Sequence, residues 1–322
     1  MHANTGYHFD NIFLIPKFGS LGSRSDADTI LRLGGFGFKV PVVPSNMRCV
    51  INMDLARQLS SLGYFYVMHR FDEDNYEIVS RANEEDWKSI SISIGVGSQD
   101  ISTLADLAKG EYRINFITID VAHGHCEKVR RTIAEVRELY PNAFLIAGNV
   151  ATPSGTEDLQ SWGVDAIKVG IGGGSVCSTK LKTGFTFPMF SCLQSCSRVC
   201  DIPIIADGGA IHNGDIAKAL VAGASMVMSG SMFIGCIDSP AEIVYARPGK
   251  ISGYSKVYYG SASEHNKGQK KHVEGFKRLV TVNGLTFEEK FLEIQEDLSS
   301  AISYAGGVDL TCFGGVEYGL NP

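Results

Sequence analysis

The sequence has 322 residues, of which 44% are hydrophobic and 20% charged, enough to bury a large core. Lys and Arg number 29 against 35 Asp and Glu, which gives a net charge of −6. This balance excludes the broad positive surface that binds nucleic acid non-specifically, because such binding depends on many Lys and Arg contacts with phosphates.

Residues 1–16 carry no basic segment followed by an apolar run, so we predict no secretory signal. No stretch approaches the roughly 20 apolar residues of a membrane-spanning helix. The eight cysteines are scattered and include no CxxC pair. In a chain of this size we expect reduced thiols, and therefore a cytoplasmic protein without a membrane partner.

Eight short apolar runs recur along the chain with helical patterns between them. They predict strands at residues 40–44, 65–68, 90–96, 116–121, 144–150, 166–172, 203–209 and 225–231. Most are β-branched, as is typical of parallel strands buried on both faces. Eight uninterrupted units favour a closed (β/α)₈ TIM barrel over a doubly wound sheet, so we expect an α/β fold with residues 1–322 as one catalytic domain.

The C-terminal third departs from this pattern. Residues 247–275 are polar and rich in Gly, Ser and Lys, and a loop this long inside a compact domain is usually an active-site lid or is disordered. Beyond it, Thr286 and Glu289 fit a capping box, and Gly306 stands where a helix C-cap glycine belongs. The sequence therefore predicts a flap after strand 8 and then a C-terminal helix over residues 286–305.

Residues 168–180, KVGIGGGSVCSTK, directly follow the sixth predicted strand. Their glycines permit positive φ and close approach of the backbone to a ligand. A free thiol has a pKa of about 8.5, so Cys177 needs local amides, a cation or a base to act as a nucleophile. The residues alone leave open whether Cys177 is a nucleophile or a small buried side chain.

Two further glycine clusters, at residues 207–209 and 229–231, follow strands 7 and 8. Barrels often hold a phosphate on the backbone amides of these two loops. Asp207, at the end of strand 7, is well placed for ribose hydroxyls. Together they predict a phosphorylated ligand.

Four segments are similar to the IMP dehydrogenase/GMP reductase family: GGGSVCST at 172–179, IIADGG at 204–209, MVMSGS at 226–231 and YYGSASE at 258–264. Shorter matches lie at residues 23–24, 120–125, 147–150 and 303–307, in unbroken order. The resemblance implies a homotetrameric barrel enzyme that acts on a purine nucleotide, GMP or IMP, and on a nicotinamide cofactor.

The resemblance also implies roles. Cys177 would attack C2 of the purine, and Thr179 and Glu274 would act together on the leaving ammonia, because an amine departs only when it is protonated. General acid assistance of this kind is typically worth about 10²–10⁴-fold. The nucleotide site would comprise Asp207, Gly208, Gly209, Ser229, Gly230, Ser231, Gly260, Ser261, Ala262, Ser263 and Gly275.

On the cofactor side the resemblance implies that NADPH meets Arg70, Asp120, Val121, Ala122, Gly172, Ser300 and Ser303, with Ser23 and Arg24 donated by a neighbouring subunit. Carbonyls of Gly172, Gly174 and Cys177 would hold K⁺, beside Lys180. The chain has Gly173 where the family commonly has Pro and Lys180 where it commonly has Arg, which predicts a more flexible loop.

Two absences favour the reductase branch of this family. The dehydrogenase branch hydrolyses its intermediate with a flap that bears an Arg-Tyr pair, whereas residues 258–275 contain no Arg. Residues 70–90 have room for one short helix, not for the paired CBS modules that most dehydrogenases insert. An NAD-dependent IMP dehydrogenase and a non-catalytic nucleotide sensor remain the alternatives.

Other side chains allow plainer interpretations. His123 and His125 could form half of a zinc site, but no convincing further ligands stand on other strands. Cys192, Cys196 and Cys200 recur at helical spacing and predict core packing. For Lys267, Lys270 and Lys271, a solvated loop and contact with cofactor phosphates are left open.

Overall fold

The computed structural model describes residues 6–71, 74–245, 254–267 and 274–321. Within these residues the strands, in chain order, are β1 Ile12–Leu14, β2 Leu31–Leu33, β3 Phe36–Phe38, β4 Val42–Pro44, β5 Ser91–Ile94, β6 Phe116–Asp120, β7 Phe144–Val150, β8 Ala166–Val169, β9 Ile204–Asp207, β10 Met226–Ser229, β11 Ile243–Tyr245, β12 Tyr254–Tyr259, β13 Lys277–Thr281 and β14 Tyr318–Leu320. The helices are α1 Met53–Leu62, α2 Asn75–Glu84, α3 Ser98–Lys109, α4 Glu127–Leu139, α5 Pro153–Ser161, α6 Thr179–Thr183, α7 Met189–Ser197, α8 Asn213–Val221, α9 Glu264–Lys267 and α10 Phe287–Tyr304.

Seven parallel strands form the central sheet, in the order β4-β10-β9-β8-β7-β6-β5. The first and last strands of the predicted series, β4 and β10, pair directly, with Val42 opposite Val227. The predicted second strand is hydrogen-bonded at one point: Met68 bridges Ile92 of β5, and the Met68 amide donates to the Ser91 carbonyl at 3.1 Å. All eight predicted strands therefore stand in the wall of a TIM-barrel-like α/β fold, which confirms the predicted fold class.

The barrel interior is apolar and closed at one end. Seven of the eight wall strands and the β2–β3 hairpin contribute side chains to one buried cluster. Its members are Leu33, Phe38, Val43, Phe65, Val67, Phe116, Ile146, Ala166, Ile205, Met226 and Met228. The rings of Phe36 and Phe38 pack 5.3 and 5.8 Å from that of Phe116. The hairpin thus seals the N-terminal ends of the strands, and a ligand must enter at their C-terminal ends.

The prediction of an unstructured polar loop over residues 247–275 is wrong for much of the described part. β12 pairs with both β11 and β13, and Val257, Tyr258 and Tyr259 are buried. The strand was missed because its pairing partners lie outside the predicted loop and its flanks are rich in Ser and Gly. Residues 246–253 and 268–273, with Lys270 and Lys271, lie outside the described residues.

The predicted C-terminal helix is confirmed as α10. The Glu289 amide donates to Thr286 Oγ1 at 3.2 Å, and the Thr286 amide donates to Glu289 Oε2 at 2.7 Å, which completes the capping box. Gly306 follows with a φ of 79°. Among the described helices, none is both long enough and apolar enough to cross a bilayer.

Candidate active site

A cavity of about 450 Å³ opens at the C-terminal ends of the barrel strands, within the range of about 300–1,000 Å³ that is typical of ligand pockets. The predicted site residues on its walls are Asp120, Ala122, Gly172, Gly174, Cys177, Thr179, Lys180, Asp207, Gly208, Gly209, Ser229, Gly230, Ser231, Gly260, Ser261, Ala262 and Glu274. A second cavity, of about 520 Å³, lies beside Gly34 and Phe36 and contains none of them. The first cavity is therefore the candidate site.

A chain of hydrogen bonds starts at the cysteine. The Cys177 thiol donates to Thr179 Oγ1 at 3.2 Å, and Thr179 Oγ1 donates to Glu274 Oε2 at 2.6 Å. A proton can therefore pass from the sulfur to the carboxylate through one hydroxyl.

The end of the flap is tied to the cysteine loop by its backbone. Cys177 pairs with Gly275 in an antiparallel bridge. The Ser178 amide donates to the Glu274 carbonyl at 2.9 Å, and the Phe276 amide donates to the Val176 carbonyl at 2.8 Å. These bonds carry Glu274 to a threonine that precedes it by 95 residues.

The glycines of the cysteine loop are required by close approach. Gly170 has a φ of 144°, and a Cβ there would lie 2.1 Å from the Asp207 carbonyl oxygen. Gly208 has a φ of 102°, and its Cβ would lie 2.9 Å from the Gly174 amide nitrogen. Side chains at these positions would push the loops after β8 and β9 apart, so glycine is what allows both to border one cavity.

A buried lysine links two of the predicted carboxylates. Lys168 is 1% exposed, and its Nζ lies 2.5 Å from Asp120 Oδ1 and 3.1 Å from Asp207 Oδ2. Burial raises the pKa of Asp120, but the Lys168 ammonium, helped by Arg70 and Asn46, outweighs it and the net shift is downward. Burial likewise lowers the pKa of Lys168, and the two carboxylates outweigh it so that the net shift is upward. Lys168 and Asp120 are therefore both charged at neutral pH.

Gly148 makes room for this ion trio. It stands on β7, between the strands of Asp120 and Lys168, and a Cβ at this position would lie 2.5 Å from Lys168 Cβ. Two amides complete the network: Asn46 donates to Asp120 Oδ2 at 3.0 Å, and Asn149 donates to Asp207 Oδ2 at 2.8 Å.

The contacts of Lys168 and of the two asparagines were not predicted from the sequence. The available signal was a lysine inside the apolar strand β8, because a buried lysine needs paired charges. Two buried polar atoms near this wall, Asn149 Oδ1 and Arg70 Nε, have no hydrogen-bond partner among the described residues. They suit a polar ligand on the Asp120 side of the cavity.

Hydroxyl groups cluster at the other end of the cavity, where the flap strand β12 lies against the loop after β10. Ser175 Oγ and Ser231 Oγ are 2.9 Å apart, and a Cβ on Gly230 would lie 2.4 Å from the Tyr258 hydroxyl. Burial raises the pKa of Tyr258 to about 12, against the lowering effect of Ser231 and Ser175, so its hydroxyl stays a donor. Neither Ser175 nor Tyr258 was predicted.

Several predicted residues do not line the cavity. Gly275 and Ser263 adjoin it through backbone bonds of the flap, and Val121 and Arg70 stand behind Asp120 and Ala122. The remaining four form a separate surface group: Arg24 lies 3.4 Å from Ser300 Oγ and 5.3 Å above the Tyr304 ring, and Ser23 and Ser303 are nearby. Within one chain, this group is not part of the cavity wall.

The cysteines at helical spacing and the histidine pair lie outside the cavity wall. Cys192 and Cys196 are buried in α7, which confirms their packing role, while Cys200 lies beyond the end of that helix. His125 Nε2 is 2.6 Å from Asp158 Oδ2. In the part of the chain that the structure describes, no three His, Cys, Asp or Glu side chains are grouped as metal ligands.

A barrel whose catalytic end combines a thiol, a proton path and loops for a polar ligand defines the class of this protein: it is a TIM-barrel enzyme. Residues 6–317 match the model of the IMP dehydrogenase / GMP reductase domain. The chain therefore belongs to the IMP dehydrogenase/GMP reductase family, as its sequence motifs predict.

Relatives named GMP reductase match nearly the whole chain. The protein of Leptothrix cholodnii is 47% identical over 315 residues, which cover 97% of this chain and 95% of the relative. That of Delftia acidovorans is 45% identical over 314 residues, with the same coverage. That of Lactococcus lactis subsp. cremoris is 43% identical over 319 residues, covering 98% of this chain and 95% of the relative.

Proposed function

We propose that this protein is a GMP reductase, which converts GMP to IMP and ammonia with NADPH as reductant. The observation that carries the proposal is the hydrogen-bonded path from Cys177 through Thr179 to Glu274, at 3.2 and 2.6 Å. The names of the relatives and the absence of Arg from residues 258–275 support the reductase branch over the dehydrogenase.

In the first half of the reaction the Cys177 sulfur bonds to C2 of guanine and the bond from C2 to the amino nitrogen breaks. The thiol proton moves through Thr179 to Glu274, and the same path returns it to the amino group, which leaves as ammonia. The carboxylate is thus first a base and then an acid, so the release of ammonia needs no proton from bulk water.

The Asp120 side of the cavity suits a nicotinamide ring. The small residues Ala122 and Gly172 leave space there, and Asn149 Oδ1, which has no hydrogen-bond partner among the described residues, is an acceptor suited to the N–H of a carboxamide. Bound NADPH would supply a hydride to C2. Cys177 then leaves as a thiolate, releasing IMP, and one proton taken up from solvent through Glu274 and Thr179 restores the thiol.

The other groups orient the nucleotide. Both Lys168 and Asn149 bind Oδ2 of Asp207, so Oδ1 is the oxygen that we expect to accept hydrogen bonds from the ribose. The hydroxyls of Ser175, Ser231 and Tyr258, with the amides of the loops after β9 and β10, would bind the phosphate.

The bound cation, the oligomeric state and the location of the enzyme are proposed from the family resemblance. The backbone carbonyls of Gly172, Gly174 and Cys177, with no carboxylate among them, are ligands suited to a monovalent cation such as K⁺. The separate group of Ser23, Arg24, Ser300 and Ser303 lies outside its own cavity, which supports a homotetramer whose neighbours complete the cofactor site. We infer a single-domain cytoplasmic enzyme of purine salvage.

The test is a spectrophotometric comparison of two mixtures. NADPH with GMP should show loss of absorbance at the NADPH wavelength, and the product should be IMP with one ammonia for each NADPH consumed. NAD with IMP should show no turnover. Turnover in the second mixture alone would make the protein an IMP dehydrogenase, and GMP binding without turnover in either mixture would make it a sensor.

A further inference from the structure

Lys256, on the flap strand β12, is a buried charged group that the reaction does not use. Its side chain is 0% exposed. Its Nζ is surrounded by oxygen: the carbonyls of Cys236, Ile237 and Ser239 lie at 2.7, 2.9 and 2.6 Å, and Ser239 Oγ lies at 2.8 Å. An ammonium has three N–H donors, so this cage satisfies all of them.

The cage is the far end of the loop that begins at the proposed phosphate site. The Ile234 amide donates to the Gly230 carbonyl at 2.9 Å, and Ser239 Oγ donates to the Ile234 carbonyl at 2.9 Å. A short series of hydrogen-bonded turns therefore connects Gly230 with Ser239.

One strand holds both ends of this loop. Side chains two residues apart in a strand point to the same face, so Lys256 and Tyr258 both point from β12 towards the barrel. Lys256 binds the end of the loop at residues 236–239, and the Tyr258 hydroxyl meets its start at Gly230 and Ser231. β12 then continues into Gly260 and Ser261 on the cavity wall.

The charge environment explains why a lysine suits this position. All four partners are acceptors, which favours the protonated ammonium, whereas burial lowers the pKa of Lys256 below its ordinary value. Asp238, the acidic side chain nearest along the loop, accepts the Phe287 amide at the start of α10, at 3.0 Å from each oxygen. Lys256 is thus held mainly by backbone carbonyls. The Cys236 carbonyl also accepts the Ser239 amide at 3.2 Å, so a neutral side chain would take a buried donor chiefly from the Ile237 and Ser239 carbonyls.

We propose that Lys256 is a positioning residue, which fixes the loop after β10 against the flap strand so that Ser231 and Tyr258 are held in place for the phosphate of the nucleotide. This inference rests on the proposed function, because it takes that end of the cavity as the phosphate site. Lys256 itself touches neither substrate nor cofactor.

The test compares Lys256→Met, Lys256→Arg and Ser239→Ala, with Lys277→Met as the matched control on the exposed face of the same flap sheet. We expect Lys256→Met to raise the KM for GMP about tenfold, and the inhibition constant of inorganic phosphate similarly, as the buried carbonyls lose a charged donor. The kcat and the KM for NADPH should change by less than about threefold, because the thiol relay and the Asp120 side are untouched. Lys256→Arg should restore part of the GMP affinity.

Ser239→Ala removes one oxygen of the cage and should raise the KM for GMP about two- to fivefold, which keeps the test decisive if Lys256→Met does not fold. A KM for GMP within twofold of wild type in both variants would overturn the inference. So would a parallel rise in both KM values with a fall in kcat, the pattern of general disorder. If the wild type itself does not oxidise NADPH with GMP, the proposed function fails. If the wild type is active and both variants keep its KM for GMP, only the inference about Lys256 fails.

Discussion

Thr179 Oγ1 donates a 2.6 Å hydrogen bond to Glu274 Oε2, and the two residues are 95 positions apart. Thr179 stands at the start of a short helix after the cysteine loop, and Glu274 stands at the end of the flap. The bond exists because the flap backbone pairs with the cysteine loop at Cys177 and Gly275. The proton path is therefore complete only when the flap is docked.

Glu274→Gln should leave a folded protein with little turnover. The amide cannot take a proton from Thr179 and return it to the amino group, so kcat should fall by about 10²–10⁴-fold. GMP should still bind with an affinity near that of the wild type, measured by equilibrium dialysis. Glu296→Gln, on an exposed position of α10, is the control. A Glu274→Gln variant with normal kcat would remove the carboxylate from the mechanism.

Cys177→Ala should abolish NADPH oxidation while GMP binding remains measurable, since the sulfur forms the bond to C2 and few other contacts. Rapid denaturation of the wild type during turnover, followed by mass spectrometry, should detect a purine adduct on the Cys177 peptide and none in the variant. Cys126→Ala, another partly exposed cysteine, is the control. Normal turnover in Cys177→Ala would refute covalent catalysis.

Lys168→Met should destabilise the fold by about 3–5 kcal/mol, because it leaves two largely buried carboxylates without their cation. The folded pKa of Asp120 is lowered, so its contribution to stability is present above the ordinary pKa of Asp and is lost as pH falls through the folded value. Without the ammonium, burial is opposed only by the weaker effects of Arg70 and Asn46, so this pKa should rise.

Acid unfolding of Lys168→Met should therefore begin at a higher pH than that of the wild type. Urea unfolding at pH 7 and acid titration followed by circular dichroism measure both effects, with Lys168→Arg as the variant that keeps the charge. A loss below about 1 kcal/mol in Lys168→Met would mean that the trio does not stabilise the barrel.

Gly148→Ala tests the space beside the ion trio. The added Cβ would lie 2.5 Å from Lys168 Cβ and 2.6 Å from its carbonyl oxygen, and both must shift. We expect a loss of about 1–3 kcal/mol and weaker GMP binding, because Lys168 holds Asp207. Gly214→Ala in α8, where a Cβ meets nothing within 4 Å, should be neutral or slightly stabilising. Equal effects of both substitutions in urea unfolding would contradict the steric argument.

The positions of the strands were predictable because their signal is local. All eight apolar runs fall in the barrel wall, and the capping box at Thr286 and Glu289 starts α10 as predicted. Each depends on residues within one strand or one helical turn. The strands outside the barrel wall were not predicted. Among them, β12 lies in a segment predicted to be a loop, because its burial depends on pairing with β13 and on the loop after β10.

The site residues, too, were predictable only where their signal lies in neighbouring residues. Cys177, Thr179 and the glycine clusters stand in short motifs that can be recognised without coordinates, and the strand order alone brings their loops to one end of a barrel. The pairing of Lys168 was not predicted because its partners are distant in sequence. Asp120 lies on β6, 48 residues before Lys168, and Asp207 lies on β9, the strand that follows β8 along the chain.

The sequence by itself thus determined the barrel, the order of its strands, the family and most of the loops that border the cavity, since periodicity and short motifs are written in neighbouring residues. The tertiary structure decided which charges meet: Lys168 between two carboxylates, Glu274 against Thr179, and Lys256 inside its cage of carbonyls. The physical reason is that a buried charge is stabilised only by partners within a few ångströms, and in this chain those partners come from other strands and loops.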